Sequence, residues 1–150
     1  MPRAGGLACD PPPGGSPGQT GHRLQPPQER GFVVSRNKQK GTAMERLVAD
    51  GFAAALEDDR IDRAPLRGAA DRGDIANLVS PFGRVAVEVK NTKRLELAEW
   101  VKEAEVERGN LDAVAGVVIH KRRGKGRFED QYVTMTVRDL LALGWGVADR

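Results

Sequence analysis

Two apolar, partly β-branched runs, Asp74-Ile75-Ala76-Asn77-Leu78-Val79 and Val85-Ala86-Val87-Glu88-Val89-Lys90, flank Ser80-Pro81-Phe82-Gly83. Ser first, Pro second and Gly fourth is the composition a type I turn favours, so the runs are expected to fold back as a hairpin. That fold-back sets Asp74 opposite Glu88, to within a residue or two of register. Side chains two apart on a strand share a face. Glu88 and Lys90 therefore point one way, and Val87 and Val89 enter the other face. One end of a short sheet then carries two carboxylates and one ammonium, the set that metal-assisted phosphodiester cleavage requires. A Glu-x-Lys strand end is also common as a merely solvated one; the Gly73-Asp74-Ile75 strand across a proper turn is what separates the two readings.

The chain has 150 residues, room for one domain. Seven of the nine prolines and six glycines fall before Arg30, in runs such as Pro11-Pro12-Pro13-Gly14-Gly15. With almost nothing apolar to bury, residues 1–35 are expected to be a disordered Pro/Gly-rich tail, leaving residues 36–150 as the folded domain. The tail has no apolar run of the kind a signal peptide needs, and no stretch is long enough to span a bilayer. Cys9, the single cysteine, lies in that tail, so no intrachain disulfide forms and a cytoplasmic setting is expected. One Cys and two His (His22 and His120) leave too few ligands for zinc and little for a Ser/His/Asp or Cys/His nucleophile. Hard-cation chemistry on carboxylates remains.

Along the folded part, Arg36-Asn37-Lys38-Gln39-Lys40-Gly41 is a basic lead-in to a helix expected from Thr42 to about Asp58, with Met44, Leu47, Val48, Phe52 and Ala55 as its apolar face. Thr42-x-x-Glu45 fits a capping box, in which Glu45 would serve its own helix terminus. Glu45 is also spaced with Val48 and Phe52, on the edge of the buried face, where its carboxylate would turn toward the sheet. Ile61 to Leu66 reads as an irregular edge strand because of Pro65. Leu95 to Arg108 reads as a helix on Leu97, Trp100, Val101 and Ala104, stopped by Gly109-Asn110. Ala113 to Ile119 is a continuous apolar run, the mark of a strand buried on both faces. Tyr132 to Val137 is a last strand, and Val137 to Leu143 a terminal helix. The sum is an α/β domain of three layers, with a mixed central sheet flanked by helices.

With these elements placed, the chain resembles a Holliday junction resolvase of the PD-(D/E)XK superfamily, which has the restriction-endonuclease-like fold. It is most similar to versions carried by tailed bacteriophages, and more distantly to archaeal resolvases. Lys40-Gly41-Thr42-x-x-Glu45-Arg46 matches the family's opening helix. Asp71-Arg72-Gly73-Asp74-Ile75 and Val87-Glu88-Val89-Lys90-Asn91 match its central strands. Trp100-x-x-Glu103-Ala104-Glu105 and Val118-Ile119-His120-Lys121-Arg122-Arg123-Gly124 look like later blocks of the phage branch. The similarity runs from about Arg36 to Tyr132. Two departures stand out: Gly73 occupies the place of the motif's proline, and Gly68-Ala69-Ala70 lacks the catalytic Ser of archaeal members.

The resemblance implies Glu45, Asp74 and Glu88 as acidic catalytic positions and Lys90 as the active-site lysine. It implies Mg²⁺, with Mn²⁺ as substitute, on Asp74, Glu88 and the Val89 carbonyl, with Glu45 completing a second cation site or orienting a hydrated metal. Lys90 would orient the attacking water or stabilise developing charge. The glycine-broken cluster Lys121, Arg122, Arg123 and Lys125 suits phosphate contacts, as do Lys40, Arg46, Lys93 and Arg94; an ordinary basic loop is the alternative. Glu103 and Glu105 fit a solvated helix face, although Glu103 sits with Trp100 and would then support Lys90. His120 ends a buried strand, where packing or a phosphate contact suits it better than base catalysis. The implied activity is junction resolution by a homodimer acting on branched double-stranded DNA, in DNA recombination, with no membrane and no small-molecule cofactor. Another DNA substrate (flap, nicked or linear duplex) and a non-cleaving junction binder stay open.

Overall fold

A computed structural model describes residue 14 and residues 35–65 and 68–147. Residues 1–35, expected as a tail, lie outside the described residues except for Gly14 and Ser35. The first helix, α1 (Arg36–Leu56), begins earlier than Thr42, because the Ser35 hydroxyl accepts from the Lys38 amide and caps it there. Glu45 is thus well inside the helix, and the capping-box role is overturned. Strand β1 shrinks to Asp62–Arg63 and ends before Pro65, which supplies no donor for a ladder; Leu66 lies outside the described residues.

The expected strand before the turn is broken in two, β2 (Ile75–Ala76) and β3 (Val79–Ser80). Asn77 separates them at φ 63°, a left-handed conformation that Asn tolerates better than most residues. Its amide donates to the Arg60 carbonyl at 2.6 Å. Strand β2 pairs antiparallel with β1, and β3 pairs with β4 (Gly83–Lys90) across the expected turn, Ser80 opposite Gly83. Helix α2 (Leu97–Leu111) runs through Gly109-Asn110 and stops at left-handed Asp112, so that pair is not the stop. Strand β5 (Ala115–His120) lies parallel to β4, from Val85 beside Ala115 to Lys90 beside His120. Strand β6 (Tyr132–Thr134) pairs antiparallel with β5, and α3 (Val137–Trp145) closes the chain. The strand order is β3-β4-β5-β6, and the fold is mixed α/β.

Successive residues of the central strands enter different clusters, as period-two geometry demands. Val85, Val87 and Val89 pack with Met44, Val48 and Ala49 of α1 and with Val117 and Ile119. Val118 packs with Trp100 and Ala104 of α2. Helices therefore cover both faces, and all six residues of β5 are buried. α2 lies so close that a Cβ at Gly116 would stand 2.5 Å from the Ala104 carbonyl oxygen. α3 is pinned to β5 by Asp139, fully buried, which accepts from the Gly116 amide at 3.2 Å. No described helix is long and apolar enough to cross a membrane.

Gly73 fixes how the chain arrives at the end of β4. Its φ is +94°, and a Cβ there would stand 2.9 Å from the Val87 carbonyl oxygen. Proline, locked near −65°, has no access to that backbone, so this arrival requires glycine. Gly73→Ala is expected to destabilise the protein by about 1–3 kcal/mol through backbone strain and steric overlap. A wild-type midpoint in urea unfolding would remove Gly73 from this role.

Candidate active site

The backbone positions Asp74. Its amide donates to the Val87 carbonyl at 2.7 Å, and its Oδ2 accepts from the Val89 amide at 2.7 Å. Its carboxylate is thereby fastened to the edge of β4, close to Glu88 as the hairpin pattern anticipates. In an extended strand the N–H and C=O of one residue point to the same side, so the Val89 carbonyl faces the Asp74 edge too.

Glu88 and Lys90 leave β4 on the α2 face. Lys90 Nζ lies 2.5 Å from Glu88 Oε1 and also pairs with Glu103 of α2, so Glu103 supports the lysine. Burial disfavours the Lys90 charge, but the carboxylates of Glu103 and Glu88 outweigh it and hold the pKa above the ordinary lysine value. Lys90 stays an ammonium at neutral pH and is suited to donating hydrogen bonds and stabilising negative charge; as a general base it is unsuited. Glu45 accepts from Arg63 Nε at 2.8 Å and also pairs with Nη2 of the same guanidinium. Its charge still acts on Asp74, which places it at the rim of the site with its own counter-ion.

Arg63 and Glu107 belong to this neighbourhood and escape the sequence reading. Glu107 is only 7 % exposed; its carboxyl hydrogen-bonds with that of Glu88, and its Oε2 has no partner among the described residues. The signal for it is in the sequence: α2 buries Trp100, Ala104 and Glu107, at spacings of four and three, so a carboxylate stands in an apolar stripe. Burial, the adjacent Glu88 carboxylate and the charges of Asp74 and Asp71 push its carboxyl up to about 9. Burial and the Glu88 charge likewise push Asp74 up to about 7, despite the opposing Val89 amide.

The cationic residues separate into groups. Lys40, Lys93 and Arg123 line a cleft of about 480 Å³ with Asn37, Gly41 and the Val89–Thr92 segment, at the end of β4 where Lys90 sits. Asn91 ties β4 to α1 by donating to the Lys40 carbonyl at 3.2 Å, and Arg123 donates to the Thr92 carbonyl at 2.7 Å. Lys121, Arg122 and Arg123 also border a neighbouring hollow with Lys93, His120 and Tyr132. Arg122 lies over the Tyr132 ring, 5.4 Å from its centroid. Lys125 is exposed in the same loop, its carbonyl accepting from Lys121, and Arg94 is exposed beyond Lys93. Arg46 is elsewhere engaged: it pairs with Asp62 at 2.7 Å and Asp50 at 3.5 Å. Glu105 pairs with Arg138 at 3.3 Å. His120 is buried between Trp100 and Tyr132, and its Nε2 lies 2.9 Å from the Thr134 hydroxyl. That is a packing position, as the buried strand end implies.

Among the described residues, no three Asp, Glu, His or Cys side chains are grouped so as to hold a metal ion by themselves. The expected donor set is of another kind, two carboxylates and a backbone carbonyl. Mg²⁺ commonly takes one or two protein carboxylates and completes its shell with water and phosphate oxygens. The donor chemistry fits: the Glu88 charge presses on Asp74, whose carboxylate is held by a backbone amide. A divalent charge there would displace the proton that Asp74 otherwise holds to about pH 7.

Because Asp74 and Glu107 bind protons more firmly folded than unfolded, the native state holds more protons above pH about 4, and stability must fall as pH rises. Their favourable contribution is complete below the unfolded values and is lost as pH passes about 7 for Asp74 and about 9 for Glu107. In chelator, the thermal midpoint is expected to decline from pH about 5 to about 9. Glu107→Gln is expected to raise the midpoint at the alkaline end and flatten the slope. A midpoint that climbs over this range in the wild type would contradict the assignment. No protein-family model, curated protein or solved structure matches this chain.

Proposed function

We propose that this chain is a divalent-cation-dependent endonuclease of the restriction-endonuclease-like fold, which resolves four-way DNA junctions as a homodimer. The observation that carries the reading is the end of β4. Asp74 is bonded to the Val89 amide there, with Glu88 and Lys90 on the same strand end, above a cleft bordered by Lys40, Lys93 and Arg123. A sheet's carboxyl end is where parallel strands present ligand sites. β4 and β5 are parallel and end together at Lys90 and His120.

Asp74, Glu88 and the Val89 carbonyl would hold Mg²⁺, or Mn²⁺ in its place. The bound ion supplies a nucleophilic hydroxide at neutral pH and neutralises charge on the phosphate. Lys90, steadied between Glu88 and Glu103, donates to an oxygen of the phosphate as negative charge develops. Lys40, Lys93 and Arg123 hold the flanking backbone in the cleft. Lys121, Arg122 and Lys125 extend that grip along the glycine-broken loop, contacting phosphates without reading bases. Two matched cuts in a symmetric junction call for two sites related by a two-fold axis, which a homodimer provides.

Cleavage is expected to require Mg²⁺ or Mn²⁺ and to stop in EDTA. Asp74→Asn and Glu88→Gln are expected to abolish cutting and leave junction affinity unchanged or tighter, since each removes negative charge near phosphates. The assay compares a four-way junction, a flap, nicked and linear duplex and single strand, with cutting and binding read separately. Preference for flaps, nicks or ends would move the activity to another DNA substrate of the same chemistry. Junction binding with no cutting in either metal would make the chain a binder of that fold. Full activity in EDTA would end the metal reading.

Replacing Lys121, Arg122 and Arg123 together with Ala tests the loop. Binding is expected to weaken, and its logarithmic salt dependence to flatten by roughly one unit for each phosphate that the variant no longer grips. Normal binding at every salt concentration would make the loop a solvated one.

A further inference from the structure

Tyr132 is an aromatic ring left in the open on the cross-strand row that carries Lys90. Lys90, His120 and Tyr132 are register partners across β4, β5 and β6, and residues directly opposite one another share a face of the sheet. Two strand spacings, about 10 Å of backbone, separate Tyr132 from Lys90. The His120 ring packs against Tyr132, centroids 5.5 Å apart, and the Arg122 guanidinium lies near it, yet the tyrosine is still 50 % exposed. It borders a hollow of about 360 Å³ together with Leu95, which is 67 % exposed. The other charged residues there are all cations, Lys93, Lys121, Arg122 and Arg123, and among the described residues no carboxylate lines it. Phosphates alone would need only the cations. An aromatic and an aliphatic side chain set among them suit a ligand with a flat apolar face as well as negative charge, and a nucleotide with an unstacked base is such a ligand. An acidic peptide brings the charge without the face. The hollow also shares Thr92, Lys93 and Arg123 with the cleft at the end of β4, so the two are continuous.

We propose that this hollow is a nucleotide subsite: an unpaired base at a DNA branch point stacks on Tyr132, and its phosphate rests on the Lys93 and Arg123 that the hollow shares with the cleft. The inference rests on the reading above for its DNA substrate and deepens it, by naming the part of a branched molecule that the protein feels. Inside a linear duplex every base is already stacked on its neighbours, so the ring gains nothing and only the cations take part. At a branch point a base leaves the stack at lower cost and can exchange its neighbour for the tyrosine. Stacking needs only a π face, so it selects structure and is indifferent to sequence. Arg122 offers the base a second planar surface beside the ring. Because Tyr132 and Lys90 lie on one row, a base held there belongs to DNA close to the phosphate being cut.

The test is equilibrium binding by the full-length protein in EDTA, read by fluorescence anisotropy. The probes are a four-way junction, the same junction with abasic sites at its branch-point nucleotides, and a linear duplex. Tyr132→Leu removes the ring and keeps an apolar side chain; Tyr132→Phe keeps the ring. Tyr132→Leu is expected to bind the intact junction about tenfold more weakly, with the duplex affinity and thermal midpoint of the wild type, and Tyr132→Phe to bind as the wild type does. The abasic junction is expected to cost the wild type the same loss and Tyr132→Leu nothing further. Equal losses on junction and duplex would overturn the inference, since the ring would then only brace the basic loop. Unchanged junction binding by Tyr132→Leu would overturn it too. So would polyglutamate binding that falls in Tyr132→Leu as junction binding does, which would make an acidic peptide the occupant. A junction bound in the expected pattern but never cut in Mg²⁺ or Mn²⁺ would remove the nuclease reading and leave the subsite standing.

Discussion

Strand β4 takes hydrogen bonds along both edges and is covered on both faces, and that double enclosure governs the rest of the molecule. A strand buried on both sides has no solvated face for charge, so polar chemistry is confined to where the enclosure ends. Val85, Ala86 and Val87 are 4 %, 0 % and 0 % exposed, and the charged side chains of β4 lie outside this stretch, Arg84 before it and Glu88 and Lys90 at its end. The same alternation that drives Val87 and Val89 into the α1 layer turns Glu88 and Lys90 toward α2. Asp74 comes to that end by hydrogen-bonding to the β4 backbone itself, between the two layers, where charge from Glu45 on one side and Glu88 on the other reaches it.

The electrostatic balance at this end of the sheet is poor. Lys90 is over-supplied with carboxylates, Arg63 is spent on Glu45, and Asp74 and Glu107 are left pressing against Glu88. A fold selected for stability alone would replace Glu107 with an apolar residue in the Trp100–Ala104 stripe. On the proposed reading, a bound cation would offset that repulsion. The hairpin, the buried strand and the two long helices carry enough packing to tolerate it.

The turn at Ser80-Pro81-Phe82-Gly83, the two-faced strand read over Ala113 to Ile119 and found at Ala115–His120, and the sidedness of Glu88 and Lys90 were legible, because each follows from local composition or from period two. What was not legible depends on contacts distant in sequence. Asn77 breaks the first hairpin strand because its side chain finds the Arg60 carbonyl, and β2 then pairs with β1. Gly109-Asn110 fails to stop α2 because the helix continues until Asp112 adopts the left-handed cap. The start of α1 moves because Ser35 offers a hydroxyl before Thr42 does. Glu107 was missed for a different reason: helical spacing marks it as core, and its charged residue type argues against a core position.

Two irregular backbone positions flank Asp74. Gly73 and Asn77 bracket Asp74 with two positive φ angles inside five residues, so regular pairing is given up where the carboxylate must be aimed. α1 shows the same preference in its charges. Its first turn has no acidic residue, and Arg36, Lys38 and Lys40 crowd a terminus whose dipole already carries partial positive charge. On intrinsic grounds acidic residues belong there. On the proposed reading a phosphate backbone lying in the cleft beside Lys40 would supply the missing negative charge, and the helix terminus would gain from its substrate what its own sequence withholds.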